Sequence, residues 1–399
     1  MGSIRILTAG ESHGKALVGI LEGIPAGLEI SEEEIFAALQ RRQKGHGRGG
    51  RMKIETDRAQ ILSGVRFGKT LGSPISLLLE NKDWQNWQKK MAVAAPDQGT
   101  KQVTVPRPGH ADLAGAIKYG HQDIRNVLER ASARETAMRV ALGSIATKLL
   151  QAFDIEIVSH VLQIHSVTSD FSLLNIEGDN SPERRFGCTL QEISRKADQS
   201  PVRCLDSKYE EQMIEKIDTA RENKDTVGGI FEVAALNLPI GLGSYVHWDR
   251  KLDGRIAQAM MSIPAMKGVE IGAGFKAAAA FGSQVHDPIY YDEERQYFRS
   301  RNQAGGLEGG VTNGMPLVVR VAMKPISTLL QPLDSVDMAT KVKIKAHIER
   351  SDVCAVPAAS VVGEAVLALV LAEAFLEKFG GDSMNEIMQS YERWKNSNR

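Results

Sequence analysis

The sequence contains little cysteine, few aromatic residues and no excess charge of either sign. Three of its 399 residues are cysteines, 6% are aromatic, and 49 lysines and arginines balance 49 aspartates and glutamates. The cysteines (Cys188, Cys204 and Cys354) are far apart and odd in number, which fits neither a metal site nor a complete disulfide framework. Reduced thiols are typical of the cytoplasm, where we expect this protein. The balanced charge argues against general attraction to nucleic acid or to membranes.

A long uninterrupted apolar run is also missing. The N-terminus lacks the apolar segment of a signal peptide, and the most hydrophobic stretch, residues 355–379, contains Glu364, Glu373 and Glu377. These charges argue against a membrane span, so we predict a long helix buried in the core or in an oligomer interface. Because no linker or low-complexity segment is evident, we expect a single large domain over residues 1–399.

Apolar periodicity predicts a mixture of strands and helices. The predicted strands are residues 4–7, 16–21, 59–65, 75–80, 154–167, 228–232, 317–323 and 341–348. Three helices are predicted to start at Ser31, Ser132 and Ser207, each with a glutamate three residues later as in a capping box, and a fourth covers 252–263. Residues 168–206 are polar and predict no regular structure.

Two parts of the chain share a pattern. Residues 18–28 and 228–242 each run from a glycine-containing strand through a proline to a Gly-Leu pair, and a predicted helix follows each of them. The pattern indicates duplicated strand–turn–helix halves, with chance similarity of glycine-flanked strands as the alternative.

Two histidines occupy turns that glycine and proline restrict. His13 lies in Gly-Glu-Ser-His-Gly, residues 10–14, and His110 follows Arg107, Pro108 and Gly109. A histidine can donate or accept a proton near neutral pH. A single turn histidine is more often structural, but the nearby arginines and polar groups favour an acid–base or anion site.

The most basic stretch is residues 41–53, which is rich in glycine and contains six lysines and arginines and no acid. A solvated helix end would place cations near the helix dipole, but these cations continue well past the helix. A nucleic-acid patch would include aromatic residues for stacking, which this stretch lacks. We therefore favour a flexible loop that closes over a polyanionic small molecule.

Three other segments suit phosphate or a planar ligand. The helix predicted at Ser132 has Arg130 and Arg134 beside its N-terminus, where free N–H groups bind anions. Residues 324–328 place a lysine and two hydroxyl groups directly after a strand. Residues 302–313 contain four glycines, as in a mobile loop or in backbone that lies against a planar ligand.

Six ordered segments make the chain resemble the chorismate synthase family from end to end. They are residues 10–14, 107–112, 132–137, 266–272, 324–328 and 350–352. The resemblance implies an α+β fold, a sandwich of helices between antiparallel sheets with internal pseudo-duplication, assembled as a homotetramer.

The resemblance also implies an activity. Members of the family are carbon–oxygen lyases that act on a phosphate, at the last step of the shikimate pathway of aromatic amino acid biosynthesis. They remove phosphate and a C6 hydrogen from 5-enolpyruvylshikimate 3-phosphate in a 1,4-elimination that gives chorismate. The reaction needs reduced FMN without net redox change. NADPH is a candidate reductant, and we expect an external flavin reductase because no segment for reducing the flavin is evident.

Roles for individual residues follow from the same resemblance. His13 would act on the leaving phosphate, His110 on the reduced flavin, and Asp352 in the step near flavin N5. The implied FMN contacts are Arg130, Ala131, Ser132, Pro264, Ala265, Gly309, Lys324, Pro325, Ile326, Ser327, Thr328 and Arg350.

Four arginines have a less specific assignment. Arg42 and Arg48 match positions that the family associates with NADP, and with Arg107 and Arg134 they are also candidates to bind the substrate. At Pro264 the chain departs from relatives that carry asparagine, so a contact there would use backbone or van der Waals surface.

Two other classes of protein compete with this interpretation. A nucleic-acid-binding module could use residues 41–53, and it would bind in a strongly salt-dependent way. A flavin-dependent oxidoreductase would share the FMN contacts but would consume one nicotinamide for each product formed.

Overall fold

The computed structural model describes residues 4–50, 55–95, 101–174, 190–293 and 295–397. Cys188 and the end of the basic stretch, Arg51 to Lys53, lie outside the described residues. Cys204 and Cys354 are free and buried, in agreement with reduced thiols.

Strands and helices occur throughout the described part of the chain. The strands are β1 (Arg5–Ala9), β2 (Ala16–Glu22), β3 (Ala59–Ser63), β4 (Val65–Arg66), β5 (Lys69–Thr70), β6 (Ile75–Glu80), β7 (Glu156–Ile164), β8 (Val167–Thr168), β9 (Gly229–Leu236), β10 (Met266–Ile271), β11 (Ile289–Asp292), β12 (Gln296–Arg299), β13 (Leu307–Glu308), β14 (Val311–Thr312), β15 (Leu317–Met323), β16 (Asp334–Val336) and β17 (Lys343–Lys345). The α-helices are α1 (Glu32–Gln43), α2 (Asp112–Tyr119), α3 (Arg125–Leu128), α4 (Thr136–Gln151), α5 (Leu190–Gln199), α6 (Ser207–Glu222), α7 (Leu252–Met261), α8 (Gly282–Val285), α9 (Val356–Phe379) and α10 (Met384–Ser397).

Two antiparallel sheets enclose a central layer of helices. The first sheet has the order β1-β2-β6-β3 and the second β10-β15-β9-β7-β8. Helix α4 packs on strands of the first sheet, α9 packs on β7 and β9 of the second, and α4 packs against α9 between them. Side chains in β2 alternate between the core and the outside, as expected of a sheet with one covered face. The predicted α+β sandwich is confirmed.

The two halves repeat one turn in atomic detail. In each half, the turn from the proline to the Gly-Leu pair is held by a threonine through four hydrogen bonds. In the first half these run from Gly27 N to Thr70 O (2.9 Å), Thr70 N to Leu28 O (2.9 Å), Leu28 N to Thr70 Oγ1 (2.9 Å) and Thr70 Oγ1 to Pro25 O (2.6 Å). In the second they run from Gly241 N to Thr312 O (2.9 Å), Thr312 N to Leu242 O (3.0 Å), Leu242 N to Thr312 Oγ1 (2.8 Å) and Thr312 Oγ1 to Pro239 O (2.7 Å). This match in hydrogen bonding supports the predicted duplication over chance similarity of the two segments.

The long apolar helix α9 is the core of the molecule. It is long and apolar enough to cross a membrane, but 89% of its most apolar window is buried inside the fold. Glu364 within it is also buried and receives hydrogen bonds from Arg41 Nη1 (2.6 Å) and Ser159 Oγ (2.6 Å). A buried carboxylate with such partners is tolerated in a protein core, so the prediction of a buried helix is confirmed.

Some local predictions were wrong. Residues 190–199 form helix α5, which buries Ile193 and Ala197 in an otherwise polar stretch. Helix α6 is capped by Asp206, whose side chain accepts from Lys208 N, and not by Ser207. A carboxylate one residue earlier is an equally good cap and decided the boundary.

The start of α4 also differs from the predicted capping box. Ser132 accepts from Arg134 N and a single 3-10 turn, Ala133–Glu135, precedes the helix. Glu135 does not cap it, because its carboxylate accepts from Thr8 Oγ1 (2.8 Å) and Arg139 Nε (2.9 Å) instead. The capping box predicted at Ser31 is present.

Glycine at position 143 permits the close contact between α4 and α9. A Cβ placed there would lie 2.6 Å from both Cβ and the carbonyl oxygen of Ala365. We expect Gly143→Ala to lower the free energy of unfolding by about 1–3 kcal/mol, because the two helices must separate. Urea denaturation measures this change.

Gly254 of α7 provides the matched control. It is also a helical glycine, but it is exposed, and the nearest atom to an added Cβ is 4.0 Å away. Gly254→Ala should leave stability unchanged or raise it by about 0.5–1 kcal/mol. Equal effects of the two substitutions would contradict this account of the α4–α9 contact.

Candidate active site

A cavity of about 470 Å³ opens where the two halves meet. Its walls come from the turn between β1 and β2, the segments that precede α4 and α9, and the segment after β15. The lining residues are Ser12, His13, Arg42, Arg48, Gly49, Gly50, Arg107, Gly109, His110, Ala111, Leu128, Ala131, Ser132, Ala133, Arg134, Pro264, Ala265, Met323, Lys324, Ile326, Ser327, Thr328, Glu349, Arg350, Ser351, Asp352 and Ala355. Six of these are lysine or arginine and two are acidic, so the cavity suits a ligand with several negative charges.

His13 is held by a buried carboxylate and an aromatic ring. Its backbone N–H donates to Glu129 Oε2 (2.8 Å), and its Nδ1 lies 3.0 Å from the same oxygen. Its ring stacks on Trp87 with centroids 4.0 Å apart. Burial opposes ionisation of Glu129, but the hydrogen bonds and charge of His13 and a bond from Arg125 outweigh it and lower the pKa of Glu129.

His110 is held in a similar way by Asp112. Its Nδ1 lies 2.5 Å from Asp112 Oδ1, and the fully buried Asp112 also accepts from Arg107 N (3.0 Å) and Nε (2.9 Å). Arg107 Nη1 donates to Thr328 Oγ1 (2.9 Å). Burial would raise the pKa of Asp112, but the hydrogen bonds and charges of His110 and Arg107 hold it well below its usual range. Arg107 Nη2 also lies 3.0 Å from Nδ1 and 3.4 Å from Nε2 of His110, so the imidazole is held between Asp112 and Arg107.

Two buried arginines lie side by side at the base of the cavity. Arg134 Nη1 donates to Asp57 Oδ1 (2.6 Å) and its Nε to Asn81 Oδ1 (2.9 Å). Arg42 Nη2 donates to the carbonyl of Ala133 (3.0 Å), and its Nη1 is 3.6 Å from Asp57 Oδ2. Among the described residues, Arg42 Nη1 and Arg134 Nη2 have no hydrogen-bond partner. Buried donors of this kind are suited to an anionic ligand.

The charged form of Arg42 is destabilised by its surroundings. Burial lowers the pKa of Arg42 to about 9; Asp57 opposes this, and the neighbouring charges of Arg48 and Arg134 add to it. An anion bound beside this guanidinium would relieve the repulsion, so the site is favourable for phosphate or carboxylate.

The basic loop is docked onto the segment before α9. Arg48 Nη1 lies 3.2 Å from Asp352 Oδ2, and Gly49 N donates to Asp352 Oδ1 (2.6 Å). The Gly47 carbonyl accepts from Val353 N (2.8 Å). A side chain at Gly49 would meet the Ser351 carbonyl at 2.7 Å. Asp352 therefore holds the loop at the cavity, in addition to lining it.

The segment after β15 is tied to the His110 turn. Lys324 Nζ and Ser327 Oγ both donate to the Gly109 carbonyl, at 2.5 and 3.2 Å. Arg350 reaches across the opening to Asp83 Oδ2 (3.1 Å). These contacts leave hydroxyl, ammonium and guanidinium groups beside the cavity, as phosphate binding requires.

The structure brings most of the proposed site residues to one cavity, but not all. Gly309 lies in the β13–β14 hairpin next to Tyr245, and it is not among the lining residues. Arg130 directs its guanidinium to the Thr8 and Gly10 carbonyls (2.8 and 3.2 Å). Pro325 does not line the cavity either, although both of its chain neighbours do.

Ala265 lines the cavity in a conformation that is unusual for alanine. Its φ is +71°, in the left-handed region, and its carbonyl accepts from Lys324 N (3.0 Å). This conformation costs about 1–2 kcal/mol for a residue other than glycine, which the surrounding structure must offset. The result is a small wall of Pro264 and Ala265 that presents no polar side chain.

Sequence reasoning missed the groups that orient the histidines, Glu129, Asp112 and Trp87, and it missed Asp57, which binds the buried arginines. Asp112 carries a local signal, since it follows His110 by two residues and is the first residue of α2. Glu129 is 116 residues from His13, so no spacing along the chain could have indicated this pair.

These features define a class of protein. Two histidines, each with one ring nitrogen bound to a buried carboxylate, face a strongly cationic cavity, which is the arrangement of an enzyme that performs acid–base chemistry on a small polyanion. Among the described residues, no three acidic, histidine or cysteine side chains are grouped so that they could hold a metal ion.

Comparison with known proteins identifies the particular family. A family model described as chorismate synthase matches residues 4–376. The chorismate synthase of Aquifex aeolicus is 57% identical over 98% of both chains, and that of Alkaliphilus metalliredigens is 56% identical over 98% of this chain and 99% of its own. A crystal structure of chorismate synthase superposes with a TM-score of 0.79 at 48% identity, covering 100% of this chain and 99% of the other. The chain belongs to the chorismate synthase family and is a carbon–oxygen lyase of the shikimate pathway.

The buried Asp112 is expected to stabilise the site and its surroundings. Asp112→Asn would leave the buried Arg107 without its counter-charge, and we expect a loss of about 3–5 kcal/mol in the free energy of unfolding at neutral pH. Because folding lowers the pKa of Asp112, this contribution is present above the unfolded value of about 4 and is lost as the pH falls below it. The gap between wild type and variant, measured by urea denaturation, should therefore be constant from about pH 5 to 8 and narrow below about pH 4.

Asp334 supplies the control for this substitution. It pairs with Lys343 and Lys345 (2.8 and 2.7 Å) on the exposed β16–β17 hairpin. Asp334→Asn should change stability little, because exposed ion pairs contribute little. A small effect of Asp112→Asn, or one that does not depend on pH, would contradict the proposed role of Asp112.

Proposed function

We propose that the protein converts 5-enolpyruvylshikimate 3-phosphate to chorismate, with reduced FMN bound but not consumed. The observation that carries this proposal is the cavity in which His13 and His110, each oriented by a carboxylate, face six cationic side chains. The reaction breaks the C3–O bond, releases phosphate and removes a proton from C6, so that a second double bond forms without net oxidation.

The charge of the substrate matches the cations of the cavity. The substrate carries two carboxylates and a phosphate, and FMN adds another phosphate. Placing these charges together requires fixed cations. Arg42 Nη1 and Arg134 Nη2 have no hydrogen bond in the described residues and lie 3.6 Å from Asp57 and 3.7 Å from Glu55, and Arg107 and Lys324 also line the cavity.

His13 is the group placed to act on the leaving phosphate. Glu129 occupies its Nδ1, which leaves Nε2 for the ligand side. A proton donated from Nε2 to the departing phosphate oxygen would reduce the charge that develops there. Arg42 and Arg134 would stabilise the same phosphate electrostatically.

The residues present fit FMN at the part of the cavity lined by the segment before α4, Pro264, Ala265 and the segment after β15. The backbone of Ala131 and Ser132, the small wall of Pro264 and Ala265, and residues 326–328 combine apolar surface with donors for a phosphate. Reduced FMN, when bound, supplies electron density that assists departure of the phosphate and is returned. Asp112 holds His110 so that its Nε2 can polarise the flavin, and Asp352 keeps the adjacent loop in place.

The geometry favours the substrate over NADP as the partner of Arg42. The Arg42 side chain is buried beneath the cavity and bonded to the segment that starts α4. A large dinucleotide would reach Arg48 or Arg350 more easily than Arg42. We therefore propose that an external reductase, with NADPH as the electron source, delivers the reduced flavin.

A homotetramer in the cytoplasm completes the proposal. Apolar side chains are exposed on the outer face of the first sheet, including Val18, Ile20 and Leu62, and exposed apolar faces of this kind are typical of subunit interfaces. The two buried, free cysteines suit a reducing compartment.

A net oxidoreductase is the rival function, and stoichiometry separates the two. Under strict anaerobic conditions, a small amount of pre-reduced FMN should support many turnovers, with chorismate followed by absorbance and no matching oxidation of flavin or NADPH. The reason is that phosphate and a proton leave together, so the products carry the same number of electrons as the substrate. One flavin or one nicotinamide oxidised per product would rule out the proposed elimination.

Substitutions of the histidines separate acid–base chemistry from binding. His13→Ala and His13→Asn should lower the single-turnover rate by about 100- to 10,000-fold, while FMN affinity changes little because the arginines and Lys324 supply most of the binding. His247→Asn is the control, since His247 is exposed and pairs only with nearby Asp249. Near-normal rates for His13→Asn would leave His13 with a structural role alone.

A further inference from the structure

Glu129 is a buried carboxylate that holds the His13 turn through both its backbone and its side chain. Its side chain is 1% exposed. Its carbonyl accepts from Ser12 N (3.0 Å), and its carboxylate accepts from His13 N (2.8 Å) and contacts His13 Nδ1. On its other side, Arg125 Nη1 donates to Glu129 Oε1 (2.8 Å). One carboxylate thus binds donors from two separate segments.

Trp87 contacts both His13 and Arg125 and so links the two partners of Glu129. The His13 imidazole stacks on the indole, and the Arg125 guanidinium lies 4.9 Å from the same ring. Trp87 is fixed in turn, because its Nε1 donates to Asp83 Oδ2 (3.2 Å). His13, Glu129, Arg125 and Trp87 therefore restrain one another, and the plane of the imidazole cannot rotate without breaking a stack or an ion pair.

The contacts among His13, Arg125 and residue 129 require a carboxylate at position 129. His13 N–H and Arg125 are both donors, and each approaches a different oxygen. A glutamine has only one acceptor oxygen, so its amide N–H₂ would face one of these donors. If the amide turned toward the imidazole, it would donate to Nδ1 and move the ring proton to Nε2. His13 with its proton on Nε2 would have to gain a second proton, on Nδ1, to form the imidazolium that can donate a proton. The amide N–H₂ group pointing at Nδ1 would oppose that step.

We propose that Glu129 is the positioning residue of His13: it keeps a proton on Nδ1 and aims Nε2 at the phosphate of the bound substrate. This rests on the proposed function, in which His13 donates a proton to the leaving group. Glu129 touches neither ligand nor cavity, since it is not among the lining residues. Its effect on the reaction passes through His13, in the way that a buried carboxylate orients a catalytic histidine in other enzymes.

Kinetics of Glu129 variants test this assignment. Glu129→Gln should lower kcat by roughly 100-fold or more, with KM and FMN affinity nearly unchanged, and Glu129→Asp should recover part of the lost rate because it restores the charge. The double variant Glu129→Gln/His13→Ala should be no slower than His13→Ala, because Glu129 has no imidazole left to orient once His13 is replaced. Multiplicative losses in the double variant, or a normal kcat for Glu129→Gln, would overturn the proposal.

A second measurement does not depend on turnover or on the folding of a variant. Nitrogen-15 NMR of the wild-type protein, labelled at histidine, reports which ring nitrogen of neutral His13 carries the proton. A proton on Nδ1 supports the role of Glu129, and a proton on Nε2 overturns it. If the wild-type protein binds reduced FMN but makes no chorismate, the proposed function fails, and the tautomer still decides the role of Glu129.

Asp249→Asn is the matched control. Asp249 accepts from His247 Nδ1 at 2.6 Å on the exposed surface, so it is also a carboxylate bound to a histidine. Its substitution should leave kcat, KM and the His13 signals unchanged. A fall in kcat for Asp249→Asn as large as that for Glu129→Gln would show that loss of any histidine–carboxylate pair lowers activity, and it would overturn the specific role of Glu129.

Discussion

The confinement of several arginines around one cavity is the constraint on which the rest of the site depends. Arg42, Arg107 and Arg134 are all buried, and burial of like charges is unfavourable unless carboxylates and hydrogen bonds compensate. Asp57, Asp112 and Glu55 supply this compensation, but in the described residues Arg42 Nη1 and Arg134 Nη2 are left without a hydrogen bond. The cavity thus retains a net excess of positive charge, which would favour the binding of an anion.

The duplicated frame explains why the site lies where it does. Helices α4 and α9 occupy the centre of the two halves and contact each other through Gly143. The segments that lead into both helices line the cavity, so the positive ends of two helix dipoles add to the side-chain charge. Each half contributes part of the cavity lining, and neither half encloses the cavity alone.

The residues that orient the histidines are different from the charged residues that line the cavity. Glu129 and Asp112 are buried, lie outside the cavity and act on the ring nitrogens that face away from it. The arginines, Lys324 and the hydroxyl groups lie at the wall itself. This division fixes the orientation of the histidines independently of a ligand, and such preorganisation is a condition for efficient acid–base catalysis.

The amino-acid sequence by itself determined the α+β class, the strands and helices with clear periodicity, the buried nature of α9 and the residue types of the site, because these depend on local patterns of apolar, glycine and charged residues. The tertiary structure decided what depends on contacts between distant segments. Glu129 meets His13 across 116 residues, Arg42 lies beneath the cavity, and Gly309 lies away from it. Helix α5 forms because Ile193 and Ala197 find a core to enter. Such outcomes follow from packing in three dimensions, on which a local pattern carries no information.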